Sequence, residues 1–450
     1  MSAAEPVDLL VADLHPALGD PALTSMNFLN EVSERHPAAV SLAAGRPYEE
    51  FFDLAAVHRH LDTFHRHLVD DLGHRPEQAR RLLLQYGRTK GIVHHLIARN
   101  LRVDEGITVD PEDVVVTVGC QEAMFLVLRA LRAGPADVLL AVAPTYVGLT
   151  GAARLVDLPV WPVAGGSTGV DLADLAAQVH RARAAGLRPR ACYLMPDFAN
   201  PSGVSIDTAH RQRLLDLAAR EDLLLLEDNP YGLFHSDDGP RPPTLKALDT
   251  GRRVVYLGSF AKTVLPGARV GYVVADQRVA GPGGRVGPLA DQLAMIKSMV
   301  TVNTSPIAQA VIGGRLLEHG CSLVAANTRE RSAYTRNLRH LVAGLARRFP
   351  ALPDQLDQAD QPDRPAVRWT VPAGGFFVVV TVPFPVDDAL LDRSGRDYGV
   401  LWTPMAHFYD DTAPVHALRL SVSAVTPEQI DVGLDRLAAL ITDEVTRRAG

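Results

Sequence analysis

Cysteine is scarce in this sequence, and a long apolar run is missing. The three cysteines, Cys120, Cys192 and Cys321, lie far apart and lack the close spacing of metal-binding motifs, so we expect no metal site. Their scarcity fits a reducing setting and argues against a fold held together by disulfides. No apolar stretch reaches the roughly 18 residues that would span a bilayer. The acidic first twenty residues lack a signal-peptide pattern, so we expect a cytoplasmic protein.

Clusters of basic residues are also missing. The net charge is -7, with 45 basic and 52 acidic residues, so nucleic-acid binding has little electrostatic support. What the chain does have is length and apolar content. Its 450 residues are 47% hydrophobic, which is enough for large buried cores in two or three structural units.

Apolar runs and helical spacings alternate through the middle of the chain. Runs typical of buried strands cover residues 114–118, 138–142, 191–194 and 223–226. Helical spacing follows these runs at residues 122–132, 172–185 and 209–220. The alternation predicts an α/β fold with a mostly parallel sheet sandwiched by helices. Two later strands, at 374–380 and 418–422, and a helix at 427–444 predict a smaller α+β domain.

The secondary structure of three further segments is predicted from weaker sequence patterns. Residues 27–35 are predicted to form a short helix near the N-terminus. Residues 280–287 are rich in glycine and are predicted to form a loop. Residues 351–367 are polar, with Asp, Gln and Pro, and indicate a loop or a linker.

One polar loop between two apolar runs carries an amine beside groups that suit a phosphate. Residues 254–257 lead into it and residues 270–274 lead out. Lys262 can form an imine, while Ser259 and Arg269 are donors of the kind that a phosphate needs. An amine and a phosphate clamp together suggest pyridoxal phosphate held by a Schiff base. A single loop lysine is more often a solvated surface charge, so the choice between a surface lysine and a cofactor-binding one depends on the other motifs.

Other polar groups follow the ends of the predicted strands, where ligands bind in open α/β sheets. Gly119-Cys120-Gln121 follows the first strand and opens a helix, whose free N–H groups suit a phosphate. Tyr146, Asn200 and Asp228 follow the next three strands. Alone, these pieces could also be ordinary turns or core residues. A buried carboxylate at Asp228 needs a partner, and a protonated pyridine nitrogen would be one.

Taken in order, these motifs resemble those of the fold type I, class I pyridoxal-phosphate aminotransferases. The resemblance runs from about residue 40 to the C-terminus and rests on six pieces: Gly119-Cys120-Gln121, Pro144-Thr145-Tyr146, Asn200-Pro201-Ser202-Gly203, Asp228-Asn229-Pro230-Tyr231, Ser259-Phe260-Ala261-Lys262 with Arg269, and Arg419-Leu420-Ser421. The residues of these motifs are similar to those of the 2-aminoadipate/kynurenine branch of the family. Residues 26–31, 258–262 and 402–405 look closer still to transaminases that make arylglycines, such as dihydroxyphenylglycine, for peptide antibiotics.

The resemblance implies how the cofactor ring would be held. Lys262 would form the Schiff base, and Asp228 would pair with the pyridinium nitrogen. Asn200 and Tyr231 would hydrogen-bond the ring hydroxyl oxygen, and Tyr146 would stack on the ring.

The resemblance also implies how the phosphate and the substrate would be held. Ser259, Arg269 and the backbone of Gly119-Cys120-Gln121 would bind the phosphate. Tyr86 would reach the phosphate of the neighbouring subunit, which implies a homodimer with shared active sites. Arg419 would take the substrate carboxylate. The substrate would also meet two further residues, Gly45 and Asn200.

The implied domain division is an N-terminal arm with part of a small domain over residues 1–60, a large cofactor-binding domain over 61–325, and a C-terminal small domain over 326–450. The implied activity is ping-pong transamination between an amino acid and a 2-oxo acid. A lyase, decarboxylase or oxidase on the same fold stays open as an alternative. A regulator with an aminotransferase-like domain is disfavoured, because only about forty residues precede the resemblance, and this segment is acidic overall, unlike a basic DNA-binding domain.

The substrate side chain is expected to be aromatic or otherwise bulky and apolar. Two stretches expected to line it carry aromatic and methionine side chains that suit flat apolar groups, namely Phe28, Trp402, Met405, Phe408 and Tyr409. These side chains could instead be core or dimer packing. Arg46, next to Gly45, could admit 2-oxoglutarate as the partner substrate.

Overall fold

The computed structural model describes residues 9–20, 23, 25, 31, 34–166, 168–236, 241–349, 367–410 and 413–449. Strands in these residues are β1 Val40–Ser41, β2 Val114–Thr117, β3 Asp137–Ala143, β4 Val160–Ala164, β5 Arg188–Leu194, β6 Leu224–Asp228, β7 Val254–Ser259, β8 Gly271–Val274, β9 Arg278–Ala280, β10 Val286–Pro288, β11 Arg368–Trp369, β12 Phe377–Thr381, β13 Val400–Leu401, β14 Thr403–Pro404 and β15 Ala417–Ser421.

The α-helices in the same residues are α1 Leu54–Arg66, α2 Pro76–Leu84, α3 His94–Asn100, α4 Gly119–Leu131, α5 Val147–Leu155, α6 Leu172–Ala184, α7 Thr208–Arg220, α8 Leu245–Leu248, α9 Leu289–Val300, α10 Pro306–Glu318, α11 Leu323–Ala326, α12 Thr328–Arg348, α13 Asp388–Arg393 and α14 Pro427–Ala449. Among them, none is both long and apolar enough to cross a membrane.

A mostly parallel sheet forms the centre of the fold, as the sequence predicts. Within the described residues it has seven strands in the order β2-β8-β7-β6-β5-β3-β4. Only β8 runs antiparallel to its neighbours. Apolar residues dominate the middle of these strands, and all four residues of β2 are buried, because helices cover both faces of the sheet.

The two faces of this sheet are covered by different helices. Met124, Leu128 and Leu131 of α4 pack on one face, and residues of α6 and α7 such as Val179 and Leu214 pack on the other. The large domain thus has the doubly covered architecture that buries a parallel sheet.

A smaller antiparallel sheet, in the order β11-β12-β15-β14, lies toward the C-terminus. Helices α12 and α14 cover it, and Leu341 and Leu437 share its core with Leu420. The parallel pair of β1 and β13 joins the N-terminal segment to this part of the chain. The expected smaller α+β unit is therefore confirmed.

Helix α12 belongs to both hydrophobic cores. Tyr334, in its second turn, packs with Phe376 in the core of the large sheet. Leu338 and Leu341, farther along the same helix, pack in the core of the smaller sheet. One continuous helix therefore connects the two cores.

Several sequence expectations differ from the structure. The glycine-rich segment 280–287 is not a simple loop, because β9 and β10 pair across it as a hairpin. Gly283 and Gly284 have φ values of 74° and 76°, which lets the chain turn tightly there. Most of residues 27–35 and of 351–367 lie outside the described residues.

The domain boundary expected at residue 60 falls inside α1. This helix crosses α10 so closely that a Cβ on Gly314 would collide with the carbonyl oxygen of His60. A Cβ on Gly313 would likewise lie 2.5 Å from the Phe64 ring. We therefore propose a boundary before Leu54, so that α1 belongs to the large domain.

Candidate active site

The candidate site lies where three neighbouring parallel strands end. Asn200 follows β5, Asp228 is the last residue of β6, and Ser259 is the last residue of β7. Asp228 pairs in register with Leu257. Because the carboxyl ends of parallel strands share one edge of the sheet, the polar residues that follow them lie together there.

Asp228 is buried, and no cationic side chain of the described residues pairs with it. Its carboxylate, 2% exposed, accepts a hydrogen bond from the Tyr193 hydroxyl at 2.7 Å and one from the Cys120 thiol at 3.6 Å. Burial raises the pKa of Asp228 to about 6, and these two hydrogen bonds oppose the rise. No Lys, Arg or His among the described residues forms an ion pair with it. This carboxylate could therefore pair with a cationic atom of a ligand.

Lys262 differs from the other lysines of the chain. Of the four lysines, Lys90, Lys246 and Lys297 each form an ion pair with a carboxylate. In the described part of the chain Lys262 has no such partner, and its Nζ donates instead to the Gly45 carbonyl oxygen at 2.8 Å. Burial, aided by the charges of Arg269 and Arg419, lowers its pKa to about 8. A fraction of Lys262 is therefore a neutral, nucleophilic amine near neutral pH.

Arg269 lies against the N-terminus of α4. Gly119 has a φ of 70°, and a Cβ there would lie 2.5 Å from Nη2 of Arg269. A Cβ on Gly271 would lie 2.6 Å from the backbone nitrogen of Cys120. The two glycines thus let the guanidinium and the free N–H groups of the helix approach closely. This combination of donors suits a phosphate. Ser259 ends β7 next to it, and its Oγ accepts from the backbone N–H of Ala261 at 3.2 Å.

Arg419, on β15, is a buried cation that has no carboxylate partner in the part of the chain that the structure describes. Its side chain donates to Asn200 Oδ1, to the Ala43 carbonyl oxygen at 2.9 Å and to Thr403 Oγ1 at 3.1 Å. Its Nε is buried with no hydrogen-bond partner among the described residues. Burial lowers its pKa to about 10, so it stays charged at neutral pH.

Two aromatic rings flank the Arg419 guanidinium. Its Cζ lies 4.3 Å from the centroid of the Phe377 ring and 5.1 Å from that of Phe408. Met405 and Phe408 also pack with Val147 at the start of α5. The site around Arg419 therefore offers a fixed positive charge between apolar walls.

Tyrosines line the region between Asp228 and Arg419. Burial raises the pKa of Tyr146 and of Tyr231, so both hydroxyls stay protonated. The Tyr146 ring lies against the start of α5, where a Cβ on Gly148 would collide with it. Gln121 Nε2 donates to the Gly148 carbonyl oxygen at 2.5 Å, so this side chain supports α5.

Some expected residues lie elsewhere. Tyr86 is 86% exposed on the surface, unlike the buried residues above. The Trp402 ring lies in the core of the smaller sheet, and its Nε1 donates to Ser394 Oγ at 3.0 Å. The expectation that Trp402 lines the substrate is therefore wrong. The other stretch expected there, including Phe28, lies outside the described residues.

Sequence reasoning missed Tyr193, Thr403 and Phe377. Tyr193 pairs in register with Leu226 of β6, which places its side chain on the same face of the sheet as Asp228. Thr403 pairs directly with Arg419 across β14 and β15. These contacts depend on strand register, which cannot be inferred from the sequence motifs. The alternation of side chains along β5 and β6 was the available signal for Tyr193.

The comparisons with known proteins agree with this geometry. Residues 63–437 match the family model described as Aminotransferase class I and II. The chain is 56% identical to (S)-3,5-dihydroxyphenylglycine transaminase of Amycolatopsis orientalis over 434 residues, 96% of this chain and 95% of the relative.

Two solved structures share the fold. One is a kynurenine aminotransferase of Pyrococcus horikoshii in complex with PMP, with a TM-score of 0.77 and 27% identity, covering 95% of this chain and 96% of that one. The other is an alpha-aminoadipate aminotransferase of Thermus thermophilus complexed with N-(5'-phosphopyridoxyl)-L-leucine, with a TM-score of 0.77 and 27% identity, covering 97% of this chain and 100% of that one. The resemblance inferred from the motifs is confirmed: the chain is a transaminase and belongs to the aminotransferase class I and II family.

Proposed function

We propose that this transaminase uses pyridoxal phosphate to move the amino group between an aromatic, arylglycine-like amino acid and a 2-oxo acid. One observation carries the proposal. Asp228 and Arg419 are buried groups of opposite charge in the site, Arg419 is close enough to Lys262 to help lower its pKa, and among the described residues neither Asp228 nor Arg419 has an ionic partner. Buried charges are costly unless they are paired, so each indicates a ligand group of the opposite charge.

The residues around Lys262 fit the cofactor. Asp228 offers the charge that a protonated pyridine nitrogen needs, and no cationic side chain among the residues that the structure describes competes for it. Arg269 and the N-terminus of α4 offer donors for a phosphate, and Gly119 leaves room for their close approach. Ser259, Tyr146, Asn200 and Tyr231 would complete the ring and phosphate contacts. The fit supports the assignment made from the resemblance.

The chemistry divides between the cofactor and the chain. When bound, pyridoxal phosphate supplies an aldehyde that links to amines and a protonated ring that accepts electrons. Lys262, with its lowered pKa, would carry the covalent link and later take the proton from the substrate Cα as a general base. Asp228 would keep the ring nitrogen protonated throughout.

Arg419 would orient the amino acid. Its guanidinium has buried donor capacity left over, including Nε, and would bind the substrate carboxylate. Asn200 and the carbonyls of Ala43 and Gly45 lie around it and around Lys262. A carboxylate fixed in this way favours loss of the Cα proton over loss of carbon dioxide. This supports transamination over the alternative of a decarboxylase on the same fold.

The proposed substrate class rests on the relative and on the apolar walls. The relative that is 56% identical is named for its action on dihydroxyphenylglycine, an arylglycine. Phe408 and Met405 border the Arg419 side of the site and suit a flat ring. Arg46 lies exposed beside the same segment and pairs with Glu49 at 3.6 Å. It would be the group that admits the second carboxylate of 2-oxoglutarate.

We also propose a homodimer in which Tyr86 reaches the partner's phosphate. Tyr86 and the α9 residues Met295 and Met299 are exposed apolar or aromatic side chains. Gly87, next to Tyr86, lies close to Asn303, three residues beyond the end of α9, because a Cβ on Gly87 would lie 3.7 Å from Nδ2 of Asn303. An exposed apolar surface of this kind supports association with a second copy.

A comparison of substrates tests the proposed function. We expect kcat/KM for phenylglycines, Phe and Tyr to exceed that for Asp, Ala and 2-aminoadipate. A preference of about tenfold for the acidic or small substrates, worth about 1.4 kcal/mol in the barrier, would refute the substrate class. Product analysis with and without 2-oxoglutarate separates transamination from lyase or decarboxylase activity.

A further inference from the structure

Tyr193 and Asp228 form a buried hydrogen-bonded pair on neighbouring strands. Both residues are 2% exposed, and the Tyr193 hydroxyl donates to Asp228 Oδ2 at 2.7 Å. The register of β5 and β6 pairs Tyr193 with Leu226, two residues before Asp228. The two side chains therefore stand on one face of a rigid sheet, diagonally across adjacent strands.

The other carboxylate oxygen of Asp228 has a weaker donor. Cys120, in the first turn of α4, brings its Sγ to 3.6 Å from Oδ1. Among the described residues, the titratable groups that face Asp228 are thus Tyr193 from β5, Cys120 from α4, Tyr146 before α5 and Tyr231 after β6. All of them are neutral at neutral pH, because burial raises the pKa of each.

We propose that Tyr193 is a positioning residue, which holds the Asp228 carboxylate ionised and correctly oriented for the ring nitrogen of the cofactor. The proposal rests on the proposed function, because it needs Asp228 to bind that nitrogen. Tyr193 acts through Asp228 and performs no chemistry of its own.

The physical argument compares the two forms of the carboxyl group. Burial favours the neutral acid and raises the pKa of Asp228, while a donated hydrogen bond favours the ionised form. Tyr193 is the nearer of the two donors, and an O–H donor on a carboxylate is a stronger partner than an S–H. Without it, more of Asp228 would be protonated at a given pH, and a neutral acid cannot hold a proton on the ring nitrogen.

The test is Tyr193→Phe, which removes only the hydroxyl. A matched control is Tyr256→Phe, because Tyr256 is an equally buried tyrosine on β7 that packs against Tyr272 in the core on the other face of the sheet. We expect Tyr193→Phe to lower kcat about tenfold with KM nearly unchanged. The acid limb of its kcat–pH profile should move to higher pH by about one unit. Tyr256→Phe should leave both unchanged.

A second readout does not depend on turnover. The Asp228 carboxyl is titrated by carbon NMR in the protein without cofactor, and its signal is assigned with Asp228→Asn. Tyr193→Phe should raise this pKa by about one unit. Cofactor should also dissociate faster from Tyr193→Phe than from Tyr256→Phe. If Tyr193→Phe does not fold, Cys120→Ala should move the acid limb in the same direction by a smaller amount.

The outcomes separate this inference from the proposed function. If Asp228→Asn loses activity while Tyr193→Phe keeps the wild-type kcat and pH profile, Tyr193 has no positioning role and the proposed function stands. If Asp228→Asn itself keeps normal turnover, the role of Asp228 is wrong and the inference falls with it. An unchanged Asp228 pKa in Tyr193→Phe also overturns the inference, whatever the rates.

Discussion

Lys262 Nζ and the carbonyl oxygen of Gly45 are joined by a hydrogen bond of 2.8 Å. The carbonyl of Ala43, two residues earlier, accepts from Arg419 at 2.9 Å. One short segment after β1 therefore binds both the amine that would carry the cofactor and the guanidinium that would bind the substrate. β1, which leads into this segment, pairs with β13, and Thr403 Oγ1 donates to the Ala43 carbonyl oxygen at 3.3 Å, so the C-terminal part of the chain helps to set the distance between the two groups.

Replacing Lys262 by Ala should abolish turnover, because no other lysine is left without an acidic partner in the described residues. Cofactor should still bind, but borohydride should no longer fix it to the protein. Mass spectrometry of the reduced protein provides the measurement. Lys90→Met is the control and should be labelled like the wild type. Fixation of cofactor to Lys262→Ala would show that another amine carries the link.

Replacing Arg419 by Met should lower the activity strongly while changing the stability little. Arg419 has no ionic partner among the described residues, and the desolvation cost that its replacement removes offsets the three hydrogen bonds that it loses, so the free energy of unfolding should change by no more than about 1 kcal/mol. Activity, as kcat/KM, should fall on the order of 100-fold because the substrate carboxylate loses its partner.

Arg211→Met is the matched control for this pair of effects. Arg211 is equally buried but is paired with Asp197 at 2.5 Å, so its loss should cost about 3 kcal/mol of stability. Denaturant unfolding of both variants without ligands gives the comparison. A large loss of stability in Arg419→Met would mean that Arg419 is mainly structural.

The stability of the protein without cofactor should depend on the protonation of Lys262. Its pKa is about 8 when folded, against 10.5 for an ordinary lysine, so between these values the unfolded chain binds more protons. The free energy of unfolding should therefore rise with pH through this window, and the Lys262 contribution should be lost as pH falls through about 8.

Denaturant unfolding at several pH values checks the pH dependence. Lys262→Met, which cannot titrate, should show a smaller rise over the same window, and the difference between the two curves isolates Lys262. Parallel curves for wild type and Lys262→Met would contradict the lowered pKa.

The proposed dimer predicts complementation between two inactive sites. A Lys262→Ala chain mixed with a Tyr86→Phe chain should form hybrid dimers with one site that has both residues intact. At low cofactor concentration, the mixture should be more active than either parent. Lys262→Ala mixed with Lys262→Met is the control and should gain nothing. Sedimentation that shows only monomers at micromolar concentration would refute the proposed arrangement.

The sequence could predict the parts of the site that follow directly from a strand end. Asp228 and Lys262 each lie at or shortly after the end of an apolar run, so their positions at one edge of the sheet follow from the parallel topology. The small number of lysines, four, was a further signal, since few other lysines could be the one that binds the cofactor.

Contacts set by packing between distant segments could not be predicted in this way. The bond from Tyr193 to Asp228 needs the register of two strands, and the pairing of Thr403 with Arg419 needs the smaller sheet. The buried position of Trp402 likewise depends on the C-terminal core, although its loop sequence resembles a substrate loop. Helices α9 to α12 were not assigned from the sequence. The hairpin of β9 and β10 was predicted to be a loop because its segment is rich in glycine.

The continuity of α12 has a mechanical consequence. Tyr334 is fixed against Phe376, with ring centroids 4.6 Å apart, while Leu338 and Leu341 are fixed in the other core. A rotation of the smaller sheet would therefore have to carry α12 with it or pull Tyr334 away from Phe376. Phe377, the next residue, begins β12 of the smaller sheet and stacks on Arg419. We therefore expect the packing at Tyr334 to resist movement of the smaller sheet, and of Arg419 with it, relative to the larger one.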